Sequence, residues 1–151
     1  MKKNLLLILI LTAFIAGCRY KDGPMVSLRS AKNRLYGNYT LTKYTINGVD
    51  SLQQMLNRYG LHFEFRYVET NDDDALQIDG GNSIEIFACR YGFINHKKSI
   101  RLYNHGSFLF TGWGTPNPQD VDIDLLKLMD HDVHMETIYN GKDYYFELTG
   151  N

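Results

Sequence analysis

The sequence predicts an all-β domain: an antiparallel meander of eight or nine short strands, closed as a barrel or a flattened sandwich, with one short early helix. Three observations predict it. Period-two alternation recurs, most clearly where Leu61, Phe63, Phe65 and Tyr67 interleave with His62, Glu64 and Arg66. Turn signals return at short intervals, among them Asn47-Gly48, Gly80-Gly81, Asn104-His105-Gly106 and Asn140-Gly141. One window alone has clear helical spacing: Leu52, Met55, Leu56 and Tyr59, at i, i+3, i+4 and i+7.

The elements follow in order. Leu35–Ile46 mixes Leu35, Tyr39, Leu41, Tyr44 and Ile46 with threonines and suits a strand, although its alternation is imperfect. Asn47-Gly48 turns the chain, and Asp50/Ser51 with Gln53/Gln54 make a capping-box pattern before a helix over Leu52–Tyr59 that Gly60 can close. A strand over Leu61–Tyr67 has one buried face. Asn71–Asp74 is a turn, Ala75–Asp79 a short strand, and Gly80-Gly81 a tight hairpin into Ser83–Arg90. Gly92–Lys98 reads as a connection and Ser99–Tyr103 as a strand. Asn104-His105-Gly106 then turns into a strand over Ser107–Thr111. Trp113–Gln119, with Gly114, Pro116 and Pro118, is a loop. Val121, Ile123 and Leu125 alternate with Asp122 and Asp124, and Val133–Tyr139 and Asp143–Thr149 form a last hairpin about Asn140-Gly141. Closing such a meander removes the free sheet edges that would otherwise pair with neighbouring chains.

Composition narrows the function classes. A chain of 151 residues is enough for one domain and too short for two ordinary ones, and 44% hydrophobic content is too high for a disordered chain. A formal charge of −1 lacks the basic footprint of a nucleic-acid binder. Two cysteines cannot staple a disulfide scaffold.

The N-terminus reads as an address. Lys2 and Lys3 precede the apolar run Leu5–Ile15, broken by Thr12, and the small residues Ala16-Gly17 follow. This is the layout of a secretory signal peptide over residues 1–17, and the run is short for a membrane span. Ile15-Ala16-Gly17-Cys18 resembles a bacterial lipobox. The resemblance implies cleavage before Cys18 and acylation of its thiol. Several acyl chains, at ~0.8 kcal/mol per buried methylene, anchor a soluble domain durably. The mature chain then has 134 residues and 14 basic against 17 acidic side chains, a formal −3. Cys89 becomes its one free thiol, in the apolar run Ile84–Ala88 and its continuation, and reads as a buried inert cysteine. Residues 18–30 form a tether, with Gly23-Pro24 and few large apolar residues, and the β domain occupies residues 31–151.

Taken together, the lipobox, the segment Ser27-Leu28-Arg29-Ser30, the strand with Tyr39-Thr40-Leu41, the stretch Ile46-Asn47-Gly48-Val49-Asp50 and a meander ending in Met135–Thr149 resemble the lipocalin-like lipoproteins of Bacteroidota. The resemblance implies a lipocalin-like barrel and an envelope address rather than a reaction. In the sorting logic of Gram-negative lipoproteins an aspartate after the lipidated cysteine favours the inner membrane. Arg19 at that position implies the outer membrane. Lys21-Asp22 lacks the acidic run of the surface-export tags of some Bacteroidota lipoproteins. Tyr39, two residues after Gly37, stands where the Gly-x-Trp of true lipocalins has its tryptophan.

Candidate chemistry is sparse. His131 and His134, flanked by Asp130, Asp132 and Glu136, are the densest set of potential metal ligands. Their odd spacing puts the two histidines on opposite faces of an extended segment, and no second cluster completes a tetrahedral set. Asp120, Asp122 and Asp124 imitate the start of a calcium loop, but Leu125 replaces its glycine and His131 its closing glutamate, so they read as the wet face of a strand. His105-Gly106-Ser107 lacks the nucleophile elbow, and neither phosphate-binding glycine motif is present.

No catalytic, metal or cofactor residue is therefore assigned. The expected protein is a non-catalytic, lipid-anchored envelope domain that binds a small apolar ligand or a partner protein. Its inward, ligand-facing side should include Leu61, Phe63, Phe65 and Tyr67. The alternative is an accessory subunit of an outer-membrane complex with a solid-packed barrel. Eleven tyrosines suit either, since tyrosine joins a large apolar body to a polar tip. An enzyme would need a cleft gathering groups such as His131, Asp130 and Glu136.

Overall fold

The computed structural model describes residues 30–68, 73–80, 86–104, 106–111 and 119–151. The leader, Cys18 and the tether up to position 29 lie outside the described residues. So do the turn residues Asn71 and Asp72, Gly81 and the first residues of the strand expected from Ser83, His105, and positions 112–118 of the loop.

A short helix α1 (Ala31–Leu35) leads into β1 (Gly37–Ile46), β2 (Val49–Asp50) and helix α2 (Leu52–Arg58). There follow β3 (His62–Val68), β4 (Asp73–Asp79), β5 (Phe87–Ile94), a 3₁₀ turn (Asn95–Lys97) and β6 (Ser99–Leu102). A helical turn α3 (Phe108–Thr111) precedes β7 (Val121–Met129), β8 (Asp132–Tyr139) and β9 (Lys142–Gly150). All strand pairings are antiparallel: β1 pairs with both β2 and β3, each strand from β3 to β8 pairs with the next, and β1 also pairs with β9 from Tyr39↔Gly150 to Ile46↔Tyr144. That last ladder closes eight strands into a barrel and leaves the two-residue β2 outside it. The barrel, rather than the flattened sandwich, is the form the meander takes.

The irregular alternation expected in β1 has a physical cause. Its register with β9 shifts between Leu41 and Lys43, so the inward series Tyr39, Leu41 resumes at Tyr44. A second shift between Leu125 and Lys127 moves the buried face of β7 from Leu125 to Leu128, which is why the period-two pattern of the sequence stops short of the strand's end.

Three expectations are corrected. Leu35 belongs to α1, whose Ser30 cap accepts the Asn33 N–H, and the strand starts only at Gly37. Gly92–Ile94 are not a connection but the end of β5, paired with Ser99–Arg101. Ser107–Thr111 is not a strand. Phe108, Leu109 and Phe110 are all buried, and a strand would turn Leu109 to the opposite face. The Ser107 carbonyl instead accepts from the N–H groups of Phe110 and Thr111, closing a helical turn. The helix at Leu52 forms as expected, but Asp50 caps it, with Oδ1 accepting the Leu52 N–H at 3.0 Å, while the Ser51 hydroxyl turns back to the Val49 carbonyl.

Candidate functional site

The barrel interior is the first place a ligand would go, and among the described residues buried side chains pack it. Tyr39, Leu41, Phe63, Phe65, Leu76, Ile78, Phe87, Ile100, Phe146 and Leu148 are each no more than 1% exposed. Their rings meet edge to face, Tyr39 on Phe65 at 6.0 Å and Phe65 on Tyr91 at 5.5 Å, a favoured arrangement for aromatic quadrupoles.

Both ends are stoppered. At one end α1 buries Leu35 completely. Arg34 donates to the Leu128 carbonyl at 2.8 Å and Tyr39 donates to the Arg34 carbonyl at 2.7 Å. Lys32 pairs with Asp74 at 2.8 Å, and Tyr36 donates to the same carboxylate. At the other end α3 inserts Phe110 into an aromatic box, stacked on Tyr139 at 5.1 Å and tilted on Tyr144 at 4.6 Å, with Phe146 at 6.3 Å. Helix α2 latches this plug from the side. Tyr59 donates to the Phe108 carbonyl, and Arg58 donates to the Phe110 carbonyl at 3.1 Å.

The expected ligand-facing residues separate. Phe63 and Phe65 are both 1% exposed inside the barrel. Leu61 precedes β3, is part-buried, and lines an open cleft of about 550 Å³ against α2 together with Asp50, Leu52 and Leu56. Tyr67 keeps the alternation but reaches the rim, where it is 42% exposed beneath the Lys32 ammonium, 5.1 Å from its ring centre. It is a surface residue rather than an interior one. The interior instead contains residues that the sequence reading did not single out as a site: Tyr91, with a hydroxyl that is buried without a hydrogen-bond partner among the described residues, and the α3 plug.

The polar candidates sit outside the barrel. Asp122 is held by both nitrogens of the Arg101 fork, at 2.6 and 2.8 Å, and that hydrogen bonding keeps its carboxyl below the usual carboxylate range. Asp120 accepts the Asn104 N–H, and Asp124 accepts the Ser99 hydroxyl at 2.6 Å. His134 lies between Asp132, 2.9 Å from Nε2, and the Tyr145 hydroxyl, 3.3 Å from Nδ1. Burial opposes ionisation of Glu147, but hydrogen bonds from Tyr145 and Lys43 outweigh it and hold the carboxyl low. His131 and Asp130 occupy the exposed β7–β8 turn, whereas Glu136 lies four residues further along β8, roughly 13 Å from its start. Among the described residues no three His, Cys, Asp or Glu side chains gather where they could hold a metal. Cys89 is buried, and burial pushes its thiol pKa far up, away from the reactive thiolate.

A second open groove, of about 450 Å³, lies on the outer wall where β1, β7, β8 and β9 run together. Its lining includes Asp124, Glu136, Ile138, Asp143 and Tyr145.

An eight-stranded antiparallel barrel with one strand outside it and few helices is a lipocalin fold. It overlays on the solution structure of lipocalin 12 from rat epididymis with a TM-score of 0.56 and 8% identity, over 80% of this chain and 67% of that one. A lipocalin-like protein from Bacteroides uniformis matches with a TM-score of 0.45 and 14% identity, over 78% of this chain and 99% of that one. No protein-family model matches the sequence, and no curated protein does.

Proposed function

We propose that this chain is a non-catalytic, lipid-anchored protein of the cell envelope, held at the outer membrane by acyl chains on Cys18, whose barrel binds a partner protein through its outer surface. The lipobox Ile15–Cys18 and Arg19 support the anchor and the address. The lipocalin-like barrel supports a binding domain. The observation that carries the partner reading is the packing among the described residues: aromatic side chains pack the barrel, α1 and α3 cover its ends, and clefts lie at α2 and on the outer wall.

A second reading, a small apolar ligand inside the barrel, has its own support. The Tyr91 hydroxyl is buried without a hydrogen-bond partner among the described residues, and Phe110 occupies a box that a planar apolar group would fit once α3 moved aside. Native pull-down of the full-length protein, with mass spectrometry of co-purifying proteins and of extracted small molecules, separates the two. A stoichiometric envelope protein with no extracted apolar compound is the expected result. A stoichiometric apolar compound from the barrel, with no protein partner, would overturn the partner reading.

A further inference from the structure

Along the outer wall of the barrel several opposite charges are paired among the described residues. Arg101 pairs with Asp122, Lys43 with Glu147, and Lys127 with Asp132. One row departs from this. Asp124 on β7 and Glu136 on β8 are direct cross-strand partners, both exposed, and no lysine, arginine or histidine among the described residues pairs with either. Like charges placed directly opposite each other weaken a sheet.

Two residues further along β8, on the same outward face, Ile138 is 74% exposed. Its cross-strand partner is Asp143, whose carboxylate likewise has no cationic partner among the described residues. Three uncompensated carboxylates thus flank an exposed branched aliphatic side chain within one groove of about 450 Å³. Solubility alone does not require this arrangement, since one carboxylate and a polar residue in place of Ile138 would keep the wall wet without the repulsion.

We propose that this groove docks an extended segment of a partner protein carrying a lysine or arginine two positions from an apolar residue. The proposal rests on the partner-binding reading and names the partner's chemistry. An extended chain repeats its side-chain direction every second residue, about 7 Å apart, which is also the spacing of Glu136 and Ile138 along β8. A cation seated between Asp124 and Glu136 relieves their repulsion and gains charge-assisted hydrogen bonds. Its neighbour then removes Ile138 from water. β8 is paired on both sides, by β7 and by β9, so the segment is read through side chains rather than by joining the sheet.

Fluorescence anisotropy of the purified full-length chain with a labelled alternating Lys-Leu octapeptide, and with its Glu-Leu counterpart, tests this. The Lys-Leu peptide should bind at least tenfold tighter than the Glu-Leu peptide and weaken as salt is raised. Asp124→Asn with Glu136→Gln should cost at least tenfold and remove most of the salt dependence, and Ile138→Ser should cost several-fold. Glu64→Gln, on β3, should leave binding unchanged. Circular dichroism and urea unfolding check that each variant is folded, and Glu136→Gln should unfold at higher urea than wild type.

Equal binding by the double variant and wild type, or no peptide binding at all, overturns the proposal. So does stoichiometric calcium displacing the peptide, or a dimer that depends on Ile138, since each names another occupant. A native partner retained by the double variant would sink this groove while leaving the partner-binding reading intact. An extracted apolar compound with no protein partner would sink both.

Discussion

Single residues divide by which side of the barrel wall they meet. Phe63 and Tyr67 lie on the same face of β3, four residues apart, yet one is sealed in the core and the other caps the rim under Lys32. Phe63→Asp places an unpaired carboxylate among aromatic rings and should cost roughly 3–5 kcal/mol or prevent folding. Tyr67→Asp should cost less than about 1 kcal/mol. Urea unfolding measures both, and equal losses would contradict this placement. Asp122 shows the opposite kind of residue, an exposed carboxylate tuned by one partner. Hydrogen bonding to Arg101 lowers its pKa in the folded state, so its contribution is present above the unfolded value of ~3.9 and is lost as pH falls through the lower, folded value. Urea unfolding should find wild type more stable than Asp122→Asn at pH 6, by a small and salt-sensitive margin because both partners are near half exposed. The margin should shrink as pH falls below the unfolded value and vanish once Asp122 is protonated in the folded state as well. A margin that persists unchanged in acid would show that Asp122 acts through something other than its charge.

At the scale of elements, the turns and bulges carry as much of the fold as the strands. Gly60 closes α2 at a φ of +105°, and a Cβ there would lie 2.4 Å from the backbone carbonyl of Asp79. Gly48, at +75°, faces open space. Gly60→Ala should therefore cost at least about 2 kcal/mol, combining left-handed strain with a backbone clash. Gly48→Ala should cost only the strain, about 1 kcal/mol. Thermal unfolding of the two variants side by side checks the difference. Burial on one face also explains why Ser107–Thr111 is a helical turn and not the strand its composition predicts. Its Phe-Leu-Phe run has strand propensity, but all three side chains face the core, and a single turn of helix satisfies that where a strand cannot. The α2 helix was legible because its apolar spacing repeats over two turns; α1 and α3, at five and four residues, are too short to show a period.

For the whole molecule, closure is the decisive event. The β1–β9 ladder joins the chain's first and last strands, burying a continuous aromatic core and removing the sheet edges on which aggregation would start. Contacts this distant in sequence carry a large loop-closure cost, so the fold should assemble slowly for its size. The proposed lipid anchor belongs to this scale as well. Cys18→Ser should abolish metabolic labelling with a fatty-acid analogue and shift the protein from the membrane to the soluble fraction while the barrel remains folded. Continued labelling would refute the anchor.

Period-two patterns, turn dipeptides and the single helical window are local properties of neighbouring residues, so the sequence by itself determined the class and most strand cores. The expectation of a filled or hollow barrel stayed open, because pattern shows which side chains point inward but not whether their volumes sum to the space enclosed. Only the tertiary structure decided that α1 and α3 stopper the ends, that Tyr67 reaches the rim, and that Asp124, Glu136, Ile138 and Asp143 meet in one groove. Each depends on strand register and barrel closure, which bring together residues up to nineteen positions apart on three strands, and no local spacing in the chain encodes that meeting.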